Sequence, residues 1–145
     1  MGAMPEKTSP TGAYLVALTP ESAESIRARE INLPHLPFRI GRESRNVRWT
    51  AGGLMAEKRM SGPPNNDLYL VESTDPLSVS REHLLIDRDG EGFFLLDRGS
   101  ACGTLVEGDP IGGKGRGGRA PIKDHTVFII GTSASRFAFK FRIDG

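Results

Sequence analysis

One cysteine, Cys102, stands in 145 residues, so no internal disulfide can form and a reducing, cytoplasmic setting is expected. No run of about 18 apolar residues occurs, which argues against a membrane-spanning helix. No apolar stretch follows the N-terminus, so no secretory signal is read there. Three histidines and the lone cysteine are too scattered for a metal site, and no cofactor is expected. The net charge is only +1, far from the basic balance of a general nucleic-acid binder.

What is present is ordinary for a globular domain: 37% hydrophobic and 26% charged residues, enough to bury one core without covalent staples. Residues 1–12 are rich in Pro, Ser, Thr and Gly and read as a disordered tail, and Met1-Gly2-Ala3 before Met4-Pro5 has the form of a cloning remnant. Residues 13–145 then form one domain. Charge is unevenly spread along it. Residues 39–60 hold six Arg/Lys against two acids, 61–110 hold three against ten, and 111–125 hold four against one. Basic segments beside loops suit a small anionic ligand.

The pattern along the chain is that of a β protein. Tyr14 to Leu18, Ile31 to Leu33, Phe38 to Arg42, Leu68 to Val71 and Thr104 to Val106 are short apolar runs, and Thr126 to Ile130 is another. Thr19-Pro20 predicts a brief helix over Glu21 to Glu30, capped by the threonine. His83 to Asp87 and Phe93 to Asp97 flank Asp89-Gly90-Glu91-Gly92 and read as a hairpin. In the last segment Phe137, Phe139, Phe141 and Ile143 alternate with Ala138, Lys140 and Arg142, the period of a half-buried strand. Residues 43–66 form a long polar connection in which Leu54 to Lys58 predicts one helical turn. Residues 112–123 read as a flexible, basic inter-strand loop. Many short strands with almost no helix mean a sandwich or barrel, whose loops at one end are free to carry function.

Three of those loops hold groups suited to an oxyanion: Gly41-Arg42, Ser80-Arg81-Glu82-His83, and Gly99-Ser100-Ala101-Cys102-Gly103-Thr104. A guanidinium can meet two phosphate oxygens with its planar fork, and a serine hydroxyl can donate to a third. Catalytic readings are weaker. No Gly-x-Ser-x-Gly elbow surrounds Ser80, and Gly108 to Lys114 imitates a Walker A loop but is followed by Gly115, not Ser or Thr.

In order, Phe38-x-Ile40-Gly41-Arg42, Asn66-Asp67-Leu68, Val79-Ser80-Arg81-Glu82-His83, Asp97-x-Gly99-Ser100-x-x-Gly103-Thr104, Gly108-x-x-Ile111 and Ile130-Gly131 resemble a forkhead-associated (FHA) domain over residues 14–143. The resemblance implies an all-β sandwich of two mostly antiparallel sheets with about eleven strands. It implies a signalling module that binds phosphothreonine in partner proteins and is not an enzyme. Arg42 and Ser80 are then phosphate ligands, with Arg81 beside them. Ser100, Ala101 and Cys102 are placed to touch the peptide, and Gly41, His83, Gly103 and Thr104 support the loops. One departure is notable: the family usually has Asn where Cys102 stands, and a thiol is a poor hydrogen-bonding group. Two rival readings follow. One is a phosphorylation-independent interaction or self-association domain. The other is weak nucleic-acid binding through the basic loops 43–60 and 112–123. The partner expected is a Thr-phosphorylated protein, and Thr8 or Thr11 of the tail, once phosphorylated, is a candidate for self-recognition.

Overall fold

The computed structural model describes residues 9–43, 47–50, 53–56, 64–73 and 76–144. In chain order the elements are β1 (Ala13–Ala17), α1 (Pro20–Ile26), β2 (Glu30–Asn32), β3 (Phe38–Arg42), β4 (Val47–Thr50), β5 (Gly53–Ala56) and β6 (Leu68–Leu70). There follow β7 (Leu84–Asp89), β8 (Gly92–Asp97), β9 (Thr104–Val106), β10 (Asp109–Ile111), β11 (Gly118–Pro121), β12 (Val127–Ile130) and β13 (Ala138–Ile143). Eleven of these strands build two sheets, in the orders β10-β9-β12-β13-β1-β2 and β11-β8-β7-β3-β6, while β4 and β5 pair only with each other. Every pairing is antiparallel except β3 with β6, which is parallel in the register Ile40↔Leu68. The expected two-sheet, mostly antiparallel fold is therefore observed. No helix among the described residues is long and apolar enough to cross a membrane.

The core lies between the sheets because each strand turns alternate residues inward. In β13, Phe139 and Phe141 are fully buried while Ala138, Lys140 and Arg142 are half-buried, as the alternation predicts. Phe38 and Ile40 of β3, Leu84 and Ile86 of β7, and Leu95 of β8 face them from the other sheet. Phe93 meets Phe141 edge-on at 5.0 Å, joining the two sheets through one aromatic pair.

Several local expectations are corrected. The helix ends at Ile26, not Glu30, because Arg27 takes a left-handed conformation (φ 56°) and the chain turns to pair Glu30 with Val16. Its start is as expected: Thr19 Oγ1 accepts the Ser22 N–H at 3.1 Å. Leu54 to Ala56 is strand, not helical turn, being paired with Val47 to Trp49; Glu57 and Lys58 lie outside the described residues. Within the expected flexible loop 112–123, Gly118–Pro121 forms β11 against β8. The predicted disordered tail does not extend through residue 12. Ser9 Oγ donates to the Leu33 carbonyl at 3.0 Å, Thr11 Oγ1 donates to the same oxygen at 2.7 Å, and the Ser9 N–H donates to Asp144. Residues 1–8 lie outside the described part of the chain.

Candidate functional site

The parallel and antiparallel neighbours of β3 leave its end, Arg42, facing the loop before β7. The Arg42 N–H donates to the Ser80 carbonyl at 2.9 Å, and Arg42 Nε donates to the Val79 carbonyl at 2.9 Å. That second bond fixes the plane of the guanidinium and leaves both Nη groups without a hydrogen bond among the described residues. Gly41 permits this approach. The Arg81 carbonyl lies against its Cα where any Cβ would collide, and Asn66 Nδ2 holds that carbonyl at 2.7 Å.

Ser80 is held from three directions. Its N–H donates to His83 Nδ1 at 2.9 Å, and its Oγ accepts the Ala101 N–H at 3.0 Å. With Oγ already accepting, the hydroxyl hydrogen remains available to a ligand oxygen. His83 is fully buried, and its Nε2 donates to the Gly103 carbonyl at 2.7 Å. These partners require the neutral tautomer protonated at Nε2. Burial pushes the His83 pKa below its ordinary value of 6.5, against the opposing pull of the Gly103 carbonyl and Asp97.

The third loop is built on Asp97, which is buried. Its Oδ1 accepts the N–H groups of Gly99 (3.0 Å) and Ser100 (2.8 Å), and its Oδ2 accepts the hydroxyls of Ser100 (2.7 Å) and Thr104 (3.1 Å). Ser100 Oγ in turn accepts the Gly103 N–H at 2.9 Å, and Gly103 supplies the positive φ (79°) that closes the turn. Ser100, expected to touch the peptide, is fully buried beneath this network and supports the turn instead. Ala101 and Cys102 are exposed at its tip, with Cys102 Sγ 3.7 Å from the Leu77 carbonyl.

An open cleft of about 650 Å³ lies between the three loops, with Arg42, Ser80 and Arg81 on its walls. His83, Gly103 and Thr104 are buried below it. Four participants were not singled out from sequence as ligands or supports. Asn65, Glu82 and Arg98 also line the cleft, and Glu72 positions the loop by accepting the Ser78 and Val79 N–H groups at 2.7–2.9 Å. Arg98 sits inside the Asp97-x-Gly99 motif, so its neighbours marked the place, but its partners Asn66 and Glu82 are distant in sequence. Burial lowers the Arg98 pKa from its ordinary value, yet the guanidinium stays charged.

The FHA domain family matches residues 38–131 of the chain. The chain belongs to the FHA domain family. FHA domains as a family are phosphopeptide-binding signalling modules and are generally not enzymes. No curated protein sequence matches the chain. Among solved structures, an FHA domain from an Arabidopsis thaliana hypothetical protein is 16% identical with a TM-score of 0.57, covering 100% of this chain and 95% of that one. The FHA domain of CT664 from Chlamydia trachomatis is 19% identical with a TM-score of 0.53, covering 90% and 95%. Mycobacterium tuberculosis EmbR, solved in complex with a low-affinity phosphopeptide, is 21% identical with a TM-score of 0.55; 90% of this chain is covered, but only 24% of EmbR. These likenesses are of fold.

The buried histidine is expected to make this FHA domain sensitive to acid. Because its pKa is lowered in the folded state, the unfolded chain takes up the proton first as pH falls. Stability is therefore full above about 6.5 and is lost as pH drops toward the lowered value, at up to about 1.4 kcal/mol per pH unit. Urea unfolding of the protein between neutral pH and the onset of carboxylate titration should show this loss, and His83→Gln should remove the slope. An unchanged slope in the variant would assign it to other groups.

Proposed function

We propose that this FHA domain binds phosphothreonine in a partner protein, as a non-catalytic recognition module in the cytoplasm. The observation that carries the reading is the placement of the Arg42 guanidinium and the Ser80 hydroxyl on one cleft, each oriented by bonds that leave its remaining donors available. A phosphothreonine brings a charge of about −1.5 to −2 and three strong acceptor oxygens. Arg42 supplies a fork for two oxygens, Ser80 donates to another, and Arg81 adds charge from the exposed side of the same loop. Little reorganisation is needed, since the loops are already tied together through His83 and Asp97.

Threonine is preferred to serine in this reading through contact with its γ-methyl group, worth about 0.8 kcal/mol if buried. An oriented phosphopeptide library tests phosphate dependence and threonine preference together. Equal selection of modified and unmodified peptides would favour the phosphorylation-independent alternative, which draws support from Ala101 and Cys102 at the exposed tip. Replacing that weak thiol by an amide, Cys102→Asn, is expected to tighten phosphopeptide binding by about 0.5–1.5 kcal/mol, measured by calorimetry. Unchanged affinity would mean that the tip does not hold the peptide backbone. Nucleic-acid binding is the least supported reading. Arg119 of the basic segment is turned onto Asp89 (2.8 Å) and stacked on Phe94 (3.8 Å to the ring centre). Self-recognition through Thr11 is also disfavoured, because its hydroxyl is already bonded to Leu33.

A further inference from the structure

The phosphate reading leaves Asn65, Glu82 and Arg98 of the cleft without a task. Arg98 is firmly held. Its side chain is 15% exposed, Nη1 donates to Asn66 Oδ1 at 2.7 Å, and Nη2 donates to the Asn65 carbonyl at 3.2 Å. Its counter-ion is not. Glu82 is 56% exposed and meets Arg98 Nη2 at 3.3 Å and Asn65 Nδ2 at 3.4 Å, both at the long limit for a hydrogen bond. Exposed pairs of this kind are weak. The cleft therefore holds a fixed cation covered by a loosely attached carboxylate. Next to it Arg81 is exposed, and its guanidinium has no hydrogen bond among the described residues.

A single phosphoryl group presents three terminal oxygens. The two Nη groups of Arg42 and the Ser80 hydroxyl can serve those oxygens between them, so that phosphate needs only the charge of Arg81, and the hydrogen-bond donors of Arg81 and Arg98 are surplus to it. The cleft of about 650 Å³ is also far larger than one phosphoryl group. Resting on the phosphothreonine reading, we propose that the Arg81–Arg98 side of the cleft is a second anion subsite, which takes a second phosphorylated residue of the same peptide after displacing Glu82. A carboxylate would only exchange like for like with Glu82. A phosphoryl dianion brings more charge and a third acceptor, and Glu82, already half in water, can turn outward. A nucleic-acid strand is the less suitable occupant of two phosphate positions, because no aromatic side chain among the described residues lines the cleft for base stacking and Glu82 stands within it.

The test is calorimetry or fluorescence anisotropy on the intact chain. The peptides are unphosphorylated, singly phosphorylated on threonine, doubly phosphorylated at each spacing the cleft can span, and singly phosphorylated with Glu in the second place. An oligothymidylate is included. At one spacing the second phosphate should improve affinity about tenfold or more, with Glu giving much less. Arg98→Met should remove most of that gain. Glu82→Gln, which keeps the size of the side chain and needs no refolding, should tighten the doubly phosphorylated peptide more than the singly phosphorylated one. If the singly phosphorylated peptide binds but no spacing gives a gain, or Glu82→Gln affects both peptides equally, the subsite is overturned while the phosphothreonine reading stands. If no phosphopeptide binds, that reading itself fails. Oligothymidylate binding tighter than any peptide would overturn the subsite in favour of nucleic acid.

Discussion

Arg42→Ala is expected to abolish most of the affinity for a phosphothreonine peptide. Removing the guanidinium deletes at least one charge-assisted hydrogen bond to the phosphate, a loss of about 1.5–3 kcal/mol, or roughly ten- to 150-fold in Kd. The fold should tolerate the change. Arg42 is only half-buried, and among the described residues its side chain makes one internal bond, to the Val79 carbonyl. Stability should therefore fall only by about the 0.5–1.5 kcal/mol of one half-exposed hydrogen bond. Arg42→Lys separates charge from geometry: it keeps a cation but lacks the planar fork, so its affinity should fall between alanine and wild type. Wild-type affinity in Arg42→Ala would remove the residue from the site.

Gly41→Ala is expected to damage both stability and binding, although it adds a single methyl group. The new Cβ would collide with the Arg81 carbonyl oxygen and stand 2.6 Å from Asn66 Nδ2. Neither neighbour yields cheaply. The carbonyl is backbone and is held by Asn66 at 2.7 Å, and Asn66 is itself held by Arg98. Overpacking of this kind costs about 1–3 kcal/mol, which in a domain of this size lowers Tm by roughly 2–12 °C. Relief of the clash requires the Ser80-Arg81 loop to move off the end of β3, so phosphopeptide affinity should fall even where the variant is fully folded. Gly90→Ala is the matched control, because a Cβ there meets nothing within 4 Å. Gly41→Ala with unaltered Tm and affinity would show that the loop is not seated on β3 as described.

Elements whose residues alternate over several positions were legible in the sequence. The buried aromatics of β13 and the hairpin joining β7 to β8 are set by local pattern and turn chemistry. β10 and β11 were not legible, for a physical reason. Both are short edge strands that carry proline or glycine, Pro110 in one and Gly118 and Pro121 in the other, and such residues are tolerated in strands chiefly at edges. Arg42, Ser80 and Arg81, which line the cleft and which we propose as ligands, could be singled out from sequence because each lies in a short motif. Arg98 and Glu72 act through partners brought near only by folding, and nothing in their immediate neighbours announces a bond to Asn66 or to the Ser78 amide. Ser100 was misplaced because a serine in a turn has the same appearance in sequence whether it faces the ligand or, as here, Asp97.

The central claim is that Arg42 and Ser80 hold one phosphate between them. Titrating the isotopically labelled protein with one threonine peptide, phosphorylated and unphosphorylated, tests it most directly by NMR. The account predicts that only the phosphorylated peptide shifts resonances, and that the shifts concentrate at the Arg42 guanidinium and at the amides of Ser80, Arg81 and Ala101. Shifts centred elsewhere on the sandwich, or the same shifts from both peptides, would contradict it.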